Sequence, residues 1–304
     1  MLKIDVFAHF LTKEYGKKFL SLAPEAAKTV EFGRDSMVDI TIREDLMRRH
    51  PDVVQIISMG NVPPERYVSV EDAIELCEIG NEEMAELVRT KPSLFHGAVG
   101  TIPIDDVDAC LKTIDHCINK LGLLGIQLFT TLQRESLAEP KYRPIYALMA
   151  ELDRAIWVHP AAIKAPGDLF TWPYESSVFM QNVVYAGIFK EFPKLKIIIH
   201  HAGGMIPHYW GRARTIMKHH DDEYLKYFYT DTALYGNTSG LMSAFDYFGA
   251  DHIMFGTDSP LGGPLIGNGN TEQTIRSIER MDISDADKDS IFFGNAVKLF
   301  VTPA

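Results

Sequence analysis

The chain has 304 residues, of which 46% are hydrophobic and 11% aromatic, so it can bury a large core and is long for one domain unless that domain is a barrel. Its formal net charge of −11 argues against nucleic acid or an anionic membrane surface as the main partner, because both favour a basic protein face. No apolar run approaches the length that spans a bilayer, and no signal-peptide pattern precedes the first predicted strand. We therefore expect a soluble protein with a small-molecule substrate.

The cysteine pattern indicates a reducing compartment. Cys77, Cys110 and Cys117 are odd in number and show no Cys-x-x-Cys spacing. Such cysteines are typical of reduced packing residues, so we expect the protein to be cytoplasmic.

Short apolar runs alternate with helical patterns along almost the whole chain. The predicted strands are Ile4–His9, Val53–Ser58, Phe95–Ile102, Gly125–Phe129, Ala155–His159, Ile197–Ile199, Phe228–Ala233 and His252–Thr257. Strands that alternate with helices indicate right-handed βαβ units and a parallel sheet, and eight of them predict a closed (β/α)8 TIM barrel of the metal-dependent hydrolase type. An open doubly wound sheet is the alternative, although no Gly-x-Gly-x-x-Gly opens a helix after a strand.

The stretch after the first strand departs from this alternation. Leu11–Pro51 is too long for a simple βα connection, so it predicts an insertion of about residues 11–51 over one end of the fold. No linker rich in Ser and Gly divides the chain, and we predict one domain over residues 1–304.

Polar side chains collect where the predicted strands end. In a parallel barrel these carboxyl ends form the face that carries catalytic groups. The residues at these ends are Asp5 and His9 on the first strand, His159 on the fifth, His200 and His201 on the sixth, Asp231 on the seventh and Asp258 on the eighth. Imidazole and carboxylate groups are the ligands of zinc and related divalent ions. Taken singly, the histidines could be core residues and the aspartates could cap turns or accept structural hydrogen bonds.

Five motifs, in this order and spacing, resemble those of one enzyme family. They are IDVFAHF, IWVHP, FPKLKIIIHHAGGMIP, FYTDTA and MFGTDSPLGG, followed by a closing GNAVKLF. The chain resembles the amidohydrolase-related (amidohydrolase 2) family, typified by aminocarboxymuconate semialdehyde decarboxylase. That family also contains resorcylate and carboxyvanillate decarboxylases and a few hydratases and hydrolases.

The resemblance implies one divalent metal ion, zinc first and manganese second, with His9, His159 and Asp258 among its ligands. The family carries a further His or Glu ligand two residues before the first-strand histidine, and this sequence has Phe7 there. That change removes a donor and places an apolar ring beside the ion. The sixth-strand histidine of the family falls on His201, so His200 is an extra histidine, and either could complete the ligand set.

The resemblance further implies non-oxidative decarboxylation of a small aromatic or unsaturated carboxylic acid. Asp258 or His201 would deliver the proton to the carbon. For substrate binding we predict Arg43, Trp172 and His200, and the further cationic candidates are Arg34, Lys164 and Arg212. A homodimer or homotetramer is also implied.

Two other functions stay open at this point. The same groups could catalyse metal-dependent hydrolysis of a lactone or a similar bond. Because Phe7 replaces a family ligand, the chain could also be a degenerate binding protein that has kept the barrel without the metal.

Overall fold

Eight parallel strands, hydrogen-bonded in chain order, form the centre of the computed structural model. The structure describes residues 1–29, 32, 34–60, 63–132, 135–161, 170–262 and 270–300. The strands are β1 Lys3–His9, β2 Val53–Ser58, β3 Phe95–Thr101, β4 Gly125–Phe129, β5 Ala155–His159, β6 Lys196–Ile199, β7 Tyr229–Asp231 and β8 Ile253–Met254. A two-stranded antiparallel ribbon, Thr131–Leu132 with Glu135–Ser136, lies between β4 and β5. The predicted (β/α)8 barrel is confirmed.

The last strand is shorter than predicted, and the barrel closes through the segment that follows it. The Val6 N–H donates to the Phe255 carbonyl at 2.8 Å, and the Asp258 N–H donates to the Phe7 carbonyl at 2.8 Å. One step further, the His9 N–H donates to the Ser259 carbonyl at 2.7 Å. Backbone hydrogen bonds thus join the end of β1, which carries His9, directly to the segment that carries Asp258.

Helices surround the strands. Their bounds are Lys13–Leu22, Asp35–Val38, Ile40–Met47, Val70–Thr90, Val107–Asp115, Arg143–Glu151, Thr171–Tyr185, Ile188–Glu191, Ile206–Ile216, Thr238–Phe248, Asn270–Glu279, Asp285–Asp289 and Asn295–Phe300. The longest has Ser69 as its N-cap, with acidic residues in its first turn and Arg89 in its last, as the helix dipole favours. Within the described part of the chain, no helix is long and apolar enough to cross a membrane.

Between β1 and β2, the described residues include three short α-helices that pack outside the barrel. Tyr15 and Phe19 of the first are fully buried. The Glu83 carboxylate accepts the backbone N–H groups of Glu14 and Tyr15, each at 3.0 Å to its nearer oxygen. Those N–H groups have no partner within their own helix, so the contact fixes this segment to helix Val70–Thr90.

A cross-barrel contact fills the interior below the strand ends. Trp157 of β5 is fully buried and stacks on Phe300, with 4.9 Å between ring centroids. Its indole N–H donates to the Val6 carbonyl of β1 at 3.0 Å. The interior of the barrel is therefore packed with side chains rather than hollow. The polar groups described next lie at its carboxyl-terminal mouth.

Candidate metal centre

Three buried donors converge at that mouth. His9 ends β1, His159 ends β5 and Asp258 follows β8. One nitrogen of each histidine and one carboxylate oxygen of the aspartate all lie within 4.8 Å of one another. Atoms that share one ion lie at most about 4.4 Å apart, since each metal–ligand distance is about 2.0–2.2 Å, so a small movement of these side chains would let them bind one ion.

The two histidines present their Nε2 atoms to this space. His159 Nδ1 lies 2.8 Å from the Pro160 carbonyl, which can only accept, so Nδ1 carries the proton and Nε2 carries the lone pair. His9 Nδ1 lies 3.1 Å from Ser58 Oγ. Neither Nε2 has a hydrogen-bond partner among the described residues. A second nitrogen held by the protein is how metal-binding histidines are usually oriented.

Asp258 divides its two oxygens between the donors and a tyrosine. Its Oδ1 lies 3.2 Å from His9 Nε2 without hydrogen-bond geometry, and within the described part of the chain it has no other partner. Its Oδ2 accepts a hydrogen bond from the Tyr235 hydroxyl and lies 3.9 Å from His201 Nε2. Burial alone would raise the pKa of Asp258, but His201 and His9 together lower it well below its usual range. The group is a carboxylate, the form that binds a cation.

The charge states of the neighbouring imidazoles also fit a cation site. Burial, then the neighbouring His9, lowers the pKa of His159 well below its usual value, so this residue is neutral. Burial acts in the same direction on His201, but Asp258 and Asp231 outweigh it and raise the pKa of His201. A neutral imidazole is the ligating form, and a more basic one beside it can carry a proton.

Phe7 lies at the centre of the histidines. Its ring stacks on His200 with 3.6 Å between centroids, and it lies 4.8 Å from His9, 5.4 Å from His201 and 5.5 Å from His159. The ring therefore fills the floor of the site where a fourth protein donor would have extended. The structure brings together His9, His159 and Asp258, and position 7 contributes no metal-ligating side chain.

The extra histidine, His200, points into the protein. It is fully buried, and its Nδ1 lies 2.6 Å from Asp231 Oδ2. The other oxygen of Asp231 accepts from the backbone N–H groups of His201 and Ala233. Burial lowers the pKa of His200, an effect that Asp231 partly offsets. The His200 side chain has no exposed surface in the described structure. Substrate binding by His200 stays a prediction.

A left-handed turn directs His201 toward Asp258. His201 has φ +59° and Ala202 has φ +54°, and two glycines with positive φ follow. A Cβ at Gly203 would lie 2.6 Å from the Phe248 ring, and one at Gly204 would lie 2.6 Å from the Pro173 carbonyl. The turn therefore requires both glycines of the HHAGG sequence.

Trp172, which the sequence predicts to bind substrate, lies beside two of these histidines. It is the second residue of helix Thr171–Tyr185 and is half-buried. Its ring centroid lies 5.8 Å from that of His159 and 6.4 Å from that of His201, both edge to face.

The sequence predicts that Arg43 binds substrate, and the structure corrects this prediction because Arg43 lies in a buried network below His9. It is fully buried, and its guanidinium donates to Gln55 Oε1 at 2.6 Å and to the His9 carbonyl. The Gln55 amide continues the network to Asp5 at 2.9 Å, and the Thr257 hydroxyl reaches the same carboxylate at 2.6 Å. Burial lowers the pKa of Arg43 to about 10 and raises that of Asp5 to about 6. Arg43 therefore holds the strand end under His9 and does not face a ligand.

The other cationic candidates have different surroundings. Arg34 donates to the carbonyls of Pro260 and Gly262, so it ties the segment after β1 to the loop after Asp258. Arg212 is exposed on helix Ile206–Ile216. Lys164 lies outside the described residues.

The sequence did not single out Tyr235 or the buried carboxyl group of Glu65. Tyr235 follows β7 in the segment TALYGN, where the glycine signals a turn but nothing signals the phenol's partner. Glu65 lies in the short helix Pro64–Arg66, and its side chain is 6% exposed. Burial, reinforced by the negative charge of Asp105, raises the pKa of Glu65 from 4.5 to about 7.

Replacing Glu65 with Gln should flatten the pH dependence of stability. The raised pKa means that Glu65 contributes most below about pH 4.5 and that this contribution is lost as the pH rises through about 7. We expect Glu65→Gln to unfold with a free energy about 1–3 kcal/mol higher than the parent at pH 8 and with little difference near pH 4. Urea titrations at both pH values measure this. Glu78→Gln, which changes an exposed glutamate, should show no such pH-dependent difference from the parent. If the stability of both variants changes with pH in the same way, the raised pKa of Glu65 is wrong.

An eight-stranded parallel barrel with two histidines and an aspartate at its mouth defines a class, the metal-dependent barrel enzymes of the hydrolase type. More narrowly, the chain belongs to the amidohydrolase family, whose model matches residues 4–301. The predicted family is confirmed.

Individual relatives within this family are decarboxylases. The chain is 26% identical over 279 residues to 2-amino-3-carboxymuconate-6-semialdehyde decarboxylase of Dictyostelium discoideum, covering 86% of this chain and 75% of that protein. It is 26% identical to gamma-resorcylate decarboxylase of a Polaromonas species, covering 98% of both. Among solved structures, dihydroxybenzoic acid decarboxylase from Polaromonas, with bound manganese and the inhibitor 2-nitroresorcinol, superposes with a TM-score of 0.81 at 24% identity, covering 98% of this chain and 96% of that chain.

Proposed function

We propose that this protein is a metal-dependent, non-oxidative decarboxylase of a small aromatic or unsaturated carboxylic acid. The observation that carries the proposal is the convergence of His9, His159 and Asp258 in a chain that matches several decarboxylases over most of its length. Buried polar atoms normally have partners, so three unpartnered donors that face one point indicate a shared ligand.

The metal would be held by His9 Nε2, His159 Nε2 and Asp258 Oδ1. We propose zinc as the first candidate and manganese as the second, because both accept imidazole and carboxylate ligands. When bound, such an ion supplies positive charge that attracts a substrate carboxylate and stabilises negative charge as the reaction proceeds.

The side chains around the donors would carry the remaining steps. Trp172 offers a flat, half-buried ring against which a planar substrate can stack. As the bond between the ring carbon and the carboxylate breaks, carbon dioxide leaves and the electron pair stays on that carbon. His201, whose pKa is raised by Asp258, would deliver the proton that forms the new carbon–hydrogen bond. Phe7 keeps one side of this space apolar.

The cytoplasmic location and a homodimeric or homotetrameric assembly belong to the proposal as well. Buried, reduced Cys77, Cys110 and Cys117 suit a reducing compartment. Hydrolysis of a lactone uses the same groups and stays the alternative reaction. A degenerate, metal-free protein is the least favoured, because it leaves the three convergent donors without a purpose.

A substrate panel tests the proposal. The parent, loaded with zinc or with manganese, is incubated with hydroxybenzoates, methylsalicylates and carboxylated muconates, and carbon dioxide release is recorded beside acid production from aryl lactones. We expect carbon dioxide from at least one carboxylic acid and its loss after chelation. Acid from a lactone without carbon dioxide from any acid would favour hydrolysis, and a parent that takes up neither metal would reject both enzyme functions.

A further inference from the structure

Tyr235 has an unusual backbone conformation for an aromatic residue. It lies after β7 with φ +48°, and Gly236 follows with φ +94°. Side chains other than glycine adopt positive φ infrequently, and they keep it where the surroundings enforce it. The conformation of Tyr235 is therefore a feature that needs a structural reason.

Most of the positive-φ residues that are not glycine lie at this site. In the described part of the chain they are Asp153, His201, Ala202, Tyr235 and Asp258. Three of these, His201, Tyr235 and Asp258, meet at one carboxylate. The strained positions thus bring a phenol, an imidazole and a carboxylate together from the ends of three different strands.

Within this group the tyrosine, rather than the histidine, holds the carboxylate. The Tyr235 hydroxyl donates a hydrogen bond to Asp258 Oδ2, whereas His201 Nε2 lies 3.9 Å from the same oxygen, beyond hydrogen-bond distance. With Oδ2 engaged, Oδ1 is the oxygen turned toward His9. A carboxylate without this bond could rotate about its terminal torsion, which is soft, or offer both oxygens to one ion.

We propose that Tyr235 is a positioning residue that fixes Asp258 as a one-oxygen ligand. The inference rests on the metal site proposed above. Groups that orient a ligand commonly change metal affinity by about 10–100-fold when they are removed. In this chain the need is greater because position 7 contributes no donor, so the ion depends on three protein ligands whose orientation must be exact.

The test compares Tyr235→Phe with Tyr146→Phe. Tyr146 is a matched control because its buried hydroxyl also donates one hydrogen bond, to the Leu137 carbonyl at 3.1 Å, in the core away from the site. Dissociation constants for Mn²⁺ are measured by calorimetry, visible absorption spectra are recorded with Co²⁺, and melting temperatures are recorded without metal.

We expect Tyr235→Phe to bind Mn²⁺ about 10–100-fold more weakly and to give an altered Co²⁺ spectrum, while Tyr146→Phe keeps the parent's affinity and spectrum. The metal-free melting temperature of Tyr235→Phe should fall no further than that of Tyr146→Phe. If the parent binds metal and Tyr235→Phe gives the same affinity and spectrum, the positioning role is wrong and the metal site stands. If the parent binds neither ion, the metal site itself is wrong and the role of Tyr235 falls with it.

Discussion

Replacing His159 with alanine should abolish stoichiometric binding of zinc or manganese and reduce turnover of any substrate by more than about 100-fold. The loss should exceed the 10–100-fold effect of removing a group that merely orients a ligand, because His159 is itself one of three donors. Elemental analysis of protein prepared without a histidine tag gives the metal content, and initial rates of carbon dioxide release give the turnover.

His208→Ala is the matched control for this experiment. His208 is an exposed histidine on helix Ile206–Ile216, so its loss should change neither metal content nor rate. One metal per chain in both variants would mean that His159 is not a ligand. Equal loss in both would point to a general effect of removing histidines.

Replacing Arg43 with methionine should destabilise the folded protein by about 3–5 kcal/mol, whether or not a substrate is present. The substitution leaves the Gln55 side-chain oxygen and the His9 carbonyl without their buried donor, and it removes a positive charge that interacts with Asp5. Arg43→Lys should recover part of the charge effect but not the forked pair of hydrogen bonds. Urea titrations of the metal-free parent and of both variants measure the free energies of unfolding.

The control and the kinetics separate this structural role from the substrate-binding role that the sequence predicts for Arg43. Arg48→Met changes an arginine of the same segment whose side chain is 73% exposed, so it should shift stability by less than about 0.5 kcal/mol. A substrate-binding arginine would instead raise KM and leave the unfolding curve unchanged. That outcome would restore the prediction from sequence and remove the structural assignment.

The sequence predicts those site residues that end a short apolar, strand-like run. His159 is recognisable because a buried run, AIWVH, ends in it, and a parallel strand can end in a polar group only at the mouth or in a satisfied contact. The same reasoning places His9 and Asp258. It does not depend on knowing which strand lies beside which, since every carboxyl end of a parallel barrel reaches the same face.

The residues that the sequence could not place depend on contacts between distant segments. The long, charged side chain of Arg43 suggests exposure, and nothing local shows that the His9 carbonyl and Gln55 will enclose it. Tyr235 likewise meets Asp258 because of two backbone conformations that no short pattern announces. Such partners are set by how the strand ends meet, a property of the assembled barrel.

The backbone bonds that join β1 to the segment after β8 have a consequence for how the protein is made. His9 leaves the ribosome before Asp258 and before Ser259, whose carbonyl accepts the His9 backbone N–H. A nascent chain of six or seven strands would therefore expose unpaired sheet edges and carry an incomplete set of ligands, as is typical of folding intermediates in proteins of this size. Metal binding and closure of the barrel should thus come late in folding, because each needs β1 together with the segment after β8.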